Sequence, residues 1–334
     1  MTLEQPTLRL GGIHHVSAIS AHIGRSHEFY TRVLGLRPVI RTVNQDDTSM
    51  YHLFFGDGVG SPGSDMTVFD IPGAAREHRG NNSITRTNFR VSGGDTLDWW
   101  ASRFDQLGVA RGAITARGGR SVLHFDDAEG TPLALVDDDG AGDAFPWDRS
   151  PVAAERQLRG LGYTEITVPL LAPTDRFLTE ALGLRRDRRY GASDEGSHEV
   201  HVYAMGDGGA HAEVHVHVRD DVPRARHGAG GVHHVALRVP AGQQMEDWVA
   251  RLEAAGYRNS GIVDRHYFTS VYVREPNHVL FELATDGPGF EVDGPLDGER
   301  LSLPPFLEPR RSAIEAKLQP LTSGRAGESI RAGR

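Results

Sequence analysis

Two histidine pairs are the residues whose type and spacing point most directly to chemistry. His14-His15 sits in IHHVSAI (13–19) and His233-His234 in VHHVALRV (232–239). Both segments read as strands, where adjacent side chains face opposite sides, so one member of each pair can project into a given cleft. A third residue joins them. Glu282 lies among apolar residues in HVLFELATD (278–286), where alternation puts Leu280, Glu282 and Ala284 on one face and Phe281 and Leu283 on the other. An unpaired carboxylate in such a strand carries a severe desolvation cost, which metal coordination relieves. A His15–His234–Glu282 set would be the two-histidine, one-carboxylate facial triad. That set leaves open coordination positions and is diagnostic of non-haem Fe(II) oxygen chemistry. Mn(II) is the alternative ion. The competing readings are a polar network at the sheet edges for the histidines and an Arg or Lys ion pair for Glu282.

Further candidates surround this set. In DRHYFTSVYVREPNHVLFELATD (264–286), Tyr272 and Glu282 are ten residues apart, a hairpin-return distance. Tyr272 could orient or help deprotonate a phenolic substrate, or simply be an aromatic whose hydroxyl has found a partner. Arg265 could meet a substrate oxygen, or form a surface ion pair. His266 and Tyr267 are additional pocket candidates. His14 and His233 could exchange a proton with substrate, or hydrogen-bond the metal-binding histidine beside them.

These residues need elements to position them, and the chain repeats itself in a way that supplies them. Each HHV strand precedes a helix-like stretch, at residues 26–36 and 245–257, ended by Gly35 and Gly256 at positions that favour a left-handed cap. Two weaker copies begin with TRTNFRV at Thr85 and TEITV at Thr164. The order is strand, helix and about three strands, four times over, near residues 12–72, 83–138, 160–220 and 231–286. The expected fold is α+β, with four βαβββ modules forming paired curved mixed sheets around a metal cleft. Residues 1–150 would hold the first two modules, 151–290 the third and fourth, and 291–334 a C-terminal extension, mobile in its Gly-, Ser- and Arg-rich final stretch. Lining up the copies places Arg86 and Glu165 opposite His234, and Leu135 and Glu213 opposite Glu282. The middle modules thus lack the histidine pair. This suggests that the first module pairs with the fourth and the second with the third, with the metal between modules one and four.

Bulk properties narrow the function classes. The 334 residues are 38% hydrophobic and 24% charged, which suits a globular protein. The net charge is -9, and no basic stripe with interleaved aromatics appears, which disfavours nucleic-acid binding. Cysteine is absent, so thiolate ligands and disulfides are excluded. No apolar run suggests a membrane span or signal peptide, and a cytoplasmic protein is expected. A homo-oligomer remains open.

The chain resembles the vicinal oxygen chelate superfamily and, within it, the ring-cleaving dioxygenases acting on hydroquinones. IHHVS (13–17), VHHVALRV (232–239), DRHYFTSVYVREP (264–276) and LFELATD (280–286) carry the resemblance, which covers most of residues 10–310. It implies His15, His234 and Glu282 as iron ligands, and His14, His233, Arg265 and Tyr272 as residues lining or supporting the substrate pocket. Ser17 stands where related enzymes tend to have Thr, which keeps a hydroxyl and removes a methyl. The implied partners are a small aromatic diphenol and O2. A catechol extradiol dioxygenase, a glyoxalase-type lyase or isomerase, and a non-catalytic aromatic-binding protein are the rival readings.

Overall fold

The computed structural model describes residues 8–192 and 197–321. The first part of the chain forms β1 (Ile13–Ser20), α1 (Ile23–Glu28), β2 (Arg37–Val43), β3 (Tyr51–Gly56) and β4 (Asp65–Asp70). The second forms β5 (Ser83–Val91), α2 (Gly94–Leu107), β6 (Arg111–Arg117), β7 (Arg120–Asp126) and β8 (Pro132–Asp137). The third forms β9 (Leu161–Val168), α3 (Leu171–Arg176), β10 (Arg185–Ala192), β11 (His198–Ala204) and β12 (Glu213–Val218). The fourth forms β13 (Val232–Val239), α4 (Met245–Ala254), β14 (Val263–Asp264), β15 (Phe268–Arg274) and β16 (Leu280–Pro288). A last helix, α5 (Arg311–Glu315), lies in the C-terminal extension.

The helices follow their apolar spacing. In α2, Leu97, Trp100, Ala101 and Phe104 form one buried stripe at i, i+3, i+4 and i+7. Helices α1 and α3 both pass into a five-residue π turn, Phe29–Val33 and Phe177–Ala181. The first helix therefore starts and stops about one turn earlier than residues 26–36 suggested. The chain then reverses at Gly35, whose φ is +73°. A Cβ there would lie 2.6 Å from Ser150 Oγ and 2.8 Å from Val152 Cγ2, so both backbone and space require glycine.

The product is an α+β fold with a large mixed sheet and few helices. In each part the first strand runs parallel to the last, as β1–β4, β5–β8, β9–β12 and β13–β16. Strand β1 pairs antiparallel with β13, and β5 antiparallel with β9. These two sets of strands are joined by a bridge between Val232 and Ile84 and by backbone hydrogen bonds from Ile13 to His211 and from Leu161 to Gly63. The parallel ladders also correct the alignment of the copies. Glu282 stands opposite Ala236, two residues beyond His234. Two residues beyond Arg86, Asn88 stands opposite Ala134. In the third part Glu165 pairs with Arg86 and Leu161 with Phe89, as Ser17 pairs with His234 and Ile13 with Leu237, so Tyr163, not Glu165, matches His15 and His234. Two residues beyond Tyr163, Glu165 stands opposite His215. The counterparts of Glu282 are thus Ala134 and His215, not Leu135 and Glu213. Strand ends vary in length between copies, so matching by eye slips where hydrogen-bonded pairs do not.

The C-terminal extension packs on the outer edge. Leu301 bridges to Arg41 on β2, while Leu303, Leu307 and Ile314 cover Val43. Its final Gly-, Ser- and Arg-rich stretch lies outside the described residues. No described helix is long and apolar enough to cross a membrane.

Candidate metal centre

Three neighbouring strands bring the proposed ligands together. Ala236 on β13 faces His15 on β1 on one side and Glu282 on β16 on the other. His234 is two residues from Ala236 and shares its face. Ala236 is fully buried, and its small side chain leaves room between the three larger ones. His15 Nε2 and His234 Nε2 are 3.2 Å apart. Glu282 Oε2 lies 3.2 Å from His15 Nε2 and 2.9 Å from His234 Nε2. All three residues are buried, and together they could hold a metal ion.

The spacing is a test of fit. Three mutually perpendicular ligands with bonds of about 2.1 Å would sit about 3.0 Å apart, whereas tetrahedral ligands would sit about 3.4 Å apart. The sides of this triangle, 2.9 to 3.2 Å, suit a single ion bound by all three residues. Glu282 Oε2 is also a buried oxygen with no well-aligned hydrogen bond, while the other oxygen accepts from Ser270. Burial alone would raise the Glu282 pKa, but His15 and His234 outweigh it and hold the carboxyl well below its ordinary range. Burial pushes His234 down, opposed by Glu282. The donor set is therefore an ionised carboxylate with imidazole nitrogens directed at one point.

The two partner histidines fix the rings. His14 Nδ1 is 3.0 Å from His15 Nδ1, and His233 Nδ1 is 2.8 Å from His234 Nδ1. One set of tautomers leaves both ligand Nε2 atoms bare. His15 and His234 carry their protons on Nδ1 and donate to the neighbouring rings. His14 must then carry its own proton on Nε2, where the Thr285 carbonyl accepts it at 3.1 Å. Burial, then the His15 ring, lowers the His14 pKa to about 3, so it stays neutral. His14 thus reaches the centre only through His15.

A cavity of about 310 Å³ opens above the triad. Phe54, Phe69, Phe268 and Leu280 give it apolar walls, and His233, Arg265 and Tyr272 also line it. Arg265 Nε donates to the Tyr272 hydroxyl at 3.1 Å, and its guanidinium pairs with Asp46 at 3.1 Å. Burial, then Glu282, raises the Tyr272 pKa. Ser17 Oγ lies 3.0 Å from His234 Nε2. His266 is not brought to this cavity. It occupies a turn with φ of +72° and bonds Asp293 at 2.6 Å. Tyr267 does line the cavity, and its hydroxyl is 3.1 Å from Ser302 Oγ in the extension.

Several lining residues escaped sequence reasoning: His52, Gln45, Asp46 and Phe69. His52 and Phe54 alternate onto the cavity face of β3, and Thr67 is the counterpart of Glu282 in the first part, since Ser17 pairs with it across β1 and β4. Correct repeat register would have drawn attention to Thr67.

Asp65 lies beside His15 across the β1–β4 ladder. It is fully buried, and neither carboxyl oxygen has a hydrogen-bond partner among the described residues. Burial, then the charge of Asp57, raises its pKa well above the ordinary value. The folded state therefore holds the proton more tightly than the unfolded one. The contribution of Asp65 to stability should be greatest below the ordinary Asp pKa of about 3.9 and decline as pH rises toward the folded value. Asp65→Asn should remove that decline. Urea midpoints measured from acid to neutral pH check this; parallel curves for the two proteins would contradict it.

Comparison with known proteins gives the same direction. The chain is 45% identical over 317 residues to a Bacillus subtilis protein named "Putative ring-cleaving dioxygenase MhqA", covering 94% of this chain and 100% of the relative. Residues 160–283 match the Glyoxalase/Bleomycin resistance protein/Dioxygenase superfamily. The chain belongs to that superfamily. Another superfamily relative, the chlorohydroquinone/hydroquinone 1,2-dioxygenase of Sphingobium indicum, is 30% identical over 308 residues, covering 90% of this chain and 93% of the relative. A Bacillus subtilis crystal structure described as a "putative dioxygenase" superposes with a TM-score of 0.85 at 32% identity, covering 95% of this chain and 99% of that one. Maize glyoxalase I superposes with a TM-score of 0.61 at 14% identity, covering 82% of this chain and 92% of that one, which is a likeness of superfamily fold alone.

Proposed function

We propose that this protein is an Fe(II)-dependent ring-cleaving dioxygenase that inserts both atoms of O2 into a hydroquinone-type substrate. The observation that carries the reading is the triangle of His15, His234 and Glu282 at the floor of an aromatic-walled cavity. The similarity to a chlorohydroquinone/hydroquinone 1,2-dioxygenase supports the substrate class. In this reading four βαβββ modules pair first with fourth and second with third, and the metal cleft lies within the first of these pairs. Bound iron would supply the electron transfer between a diphenol and O2 that side chains cannot provide.

The remaining residues hold the ring and its hydroxyls. Phe69 and Phe268 offer faces for an aromatic ring. The Tyr272 oxygen accepts from Arg265, and its hydroxyl also meets Ser270, whose own proton goes to Glu282; the Tyr272 proton would turn from Ser270 to a substrate oxygen. Its raised pKa suits it to donate and orient rather than to deprotonate. His233 accepts the His234 proton at Nδ1, leaving Nε2–H for the second hydroxyl of a para-diphenol. His14 is a positioning residue acting through His15.

Anaerobic Fe(II) loading, followed by oxygen uptake and product mass across dihydroxyaromatics, tests the reading. The expected result is ring-opened product from a hydroquinone, heavier than substrate by two oxygen atoms. Cleavage of catechol with none of any hydroquinone would sink the substrate class. Oxygen-independent conversion of a hemithioacetal, or stoichiometric aromatic binding without oxygen uptake, would sink the dioxygenase itself.

A further inference from the structure

From His52 in the cavity wall a line of hydrogen-bonding side chains runs inward and ends at the ligand triangle. Ser17 Oγ is 2.7 Å from Thr67 Oγ1, and Thr67 Oγ1 is 2.8 Å from His52 Nε2. Both hydroxyl residues are essentially inaccessible, so water cannot stand in for a missing link. The His52 ring is wedged between Phe69, stacked at 4.1 Å, and Phe54 at 4.2 Å, which fixes where its Nε2 points.

We propose that Ser17, Thr67 and His52 form a directed hydrogen-bond string that aims the Ser17 proton at an oxygen atom held on the metal, with His52 as the positioning residue that sets the direction. The proposal rests on the dioxygenase reading above. The His52 tautomer sets the direction, and the proposal places its proton on Nε2. Each hydroxyl has one proton to donate. With Nε2–H of His52 donating to Thr67, the Thr67 proton goes to Ser17, and the Ser17 proton is left for the centre. Ser17 Oγ faces His234 Nε2 at 3.0 Å. Once that nitrogen is committed to a metal it accepts nothing, so the proton is available to an oxygen brought beside it. An ionised phenol oxygen is the acceptor such a donor favours, because hydrogen bonds to charged groups are the stronger ones. The string thereby selects substrates that bind the metal through a deprotonated ring hydroxyl.

The test uses the intact protein loaded with Co(II), without oxygen, and nitrohydroquinone, whose absorption reports ionisation of its ring hydroxyl. Thr67→Val and Ser17→Ala should each raise the ionisation pH of the bound phenol by about one unit, a tenfold change in its ionisation constant. The double variant should shift it no further than either single change, because one string is cut in both. His52→Leu should shift it in the same direction, and His52→Gln, whose side-chain amide can donate from a similar place, should restore it. Co(II) content should match the wild type throughout. Unchanged ionisation in Thr67→Val, or effects of Ser17 and Thr67 that add, overturns the string alone. A wild-type protein that binds no phenol at its metal overturns both the string and the dioxygenase reading.

Discussion

Replacing Glu282 with alanine is expected to weaken metal binding by more than about 100-fold and to abolish ring cleavage. Loss of residues that merely support a ligand costs about 10–100-fold, so loss of a ligand should cost at least the upper end. The carboxylate is the one anionic member of the triad, and its buried Oε2 faces both imidazoles within 3.2 Å. Glu282→Gln should also fail, because it keeps the volume and loses the charge. Metal content after dialysis, measured alongside circular dichroism, separates ligand loss from unfolding. A folded Glu282→Ala protein with full metal content and turnover would remove Glu282 from the centre.

A second large effect is expected where no metal is proposed. Glu213→Gln should cost about 3 kcal/mol of stability, the scale of breaking a buried ion pair on one side. Glu213 accepts paired bonds from Arg120 at 2.8 Å and from Arg188 at 3.0 Å, and a further bond from His215 at 2.8 Å. Tyr163 stacks on the His215 ring at 3.8 Å, and the Tyr190 hydroxyl meets its Nδ1 at 3.0 Å. Burial raises the Glu213 pKa, but His215, Arg120 and Arg188 outweigh it and hold the carboxyl well below its ordinary range. The sign follows from that depression. The stabilisation is complete above the unfolded Glu pKa of about 4.3 and is lost as pH falls through the folded value. Denaturation at neutral pH should show the loss, with metal content unchanged. A variant as stable as the wild type would mean that the network contributes nothing net.

The contrast between the two sets of strands explains how much was legible in the sequence. The HHV pairs and Glu282 were readable because a histidine or carboxylate among apolar strand residues needs a physical excuse. The α+β class was readable because the strand and helix periods alternate. Register was less accessible, since a repeat of uneven strand lengths does not reveal which residues share a ladder. His215 therefore went unnoticed as the counterpart of Glu282, although its ring stacks at 3.8 Å on Tyr163, the counterpart of His15. Arg86, Tyr163 and Ala134 thus stand where the other set has His234, His15 and Glu282. Thr67 and His52 looked like ordinary strand residues because each acquires meaning only from a neighbour distant in sequence. His266 was misplaced because a positive-φ turn, which strand alternation does not anticipate, rotates it toward Asp293.

The pairing of β1 with β13 also has a consequence for how the protein is made. One ligand comes from residue 15, and the other two from residues 234 and 282. The strands that pair β5 with β9 lie entirely between them in sequence. During synthesis those inner strands can complete their ladder while β13 and β16 are still unmade. Strand β1 must wait for more than two hundred further residues before its partner β13 exists, a long-range closure that folds slowly. A ribosome that stops early would release a product able to build the ion-paired half but missing two of three metal-binding side chains. All three metal-binding side chains coexist only once synthesis has passed Glu282.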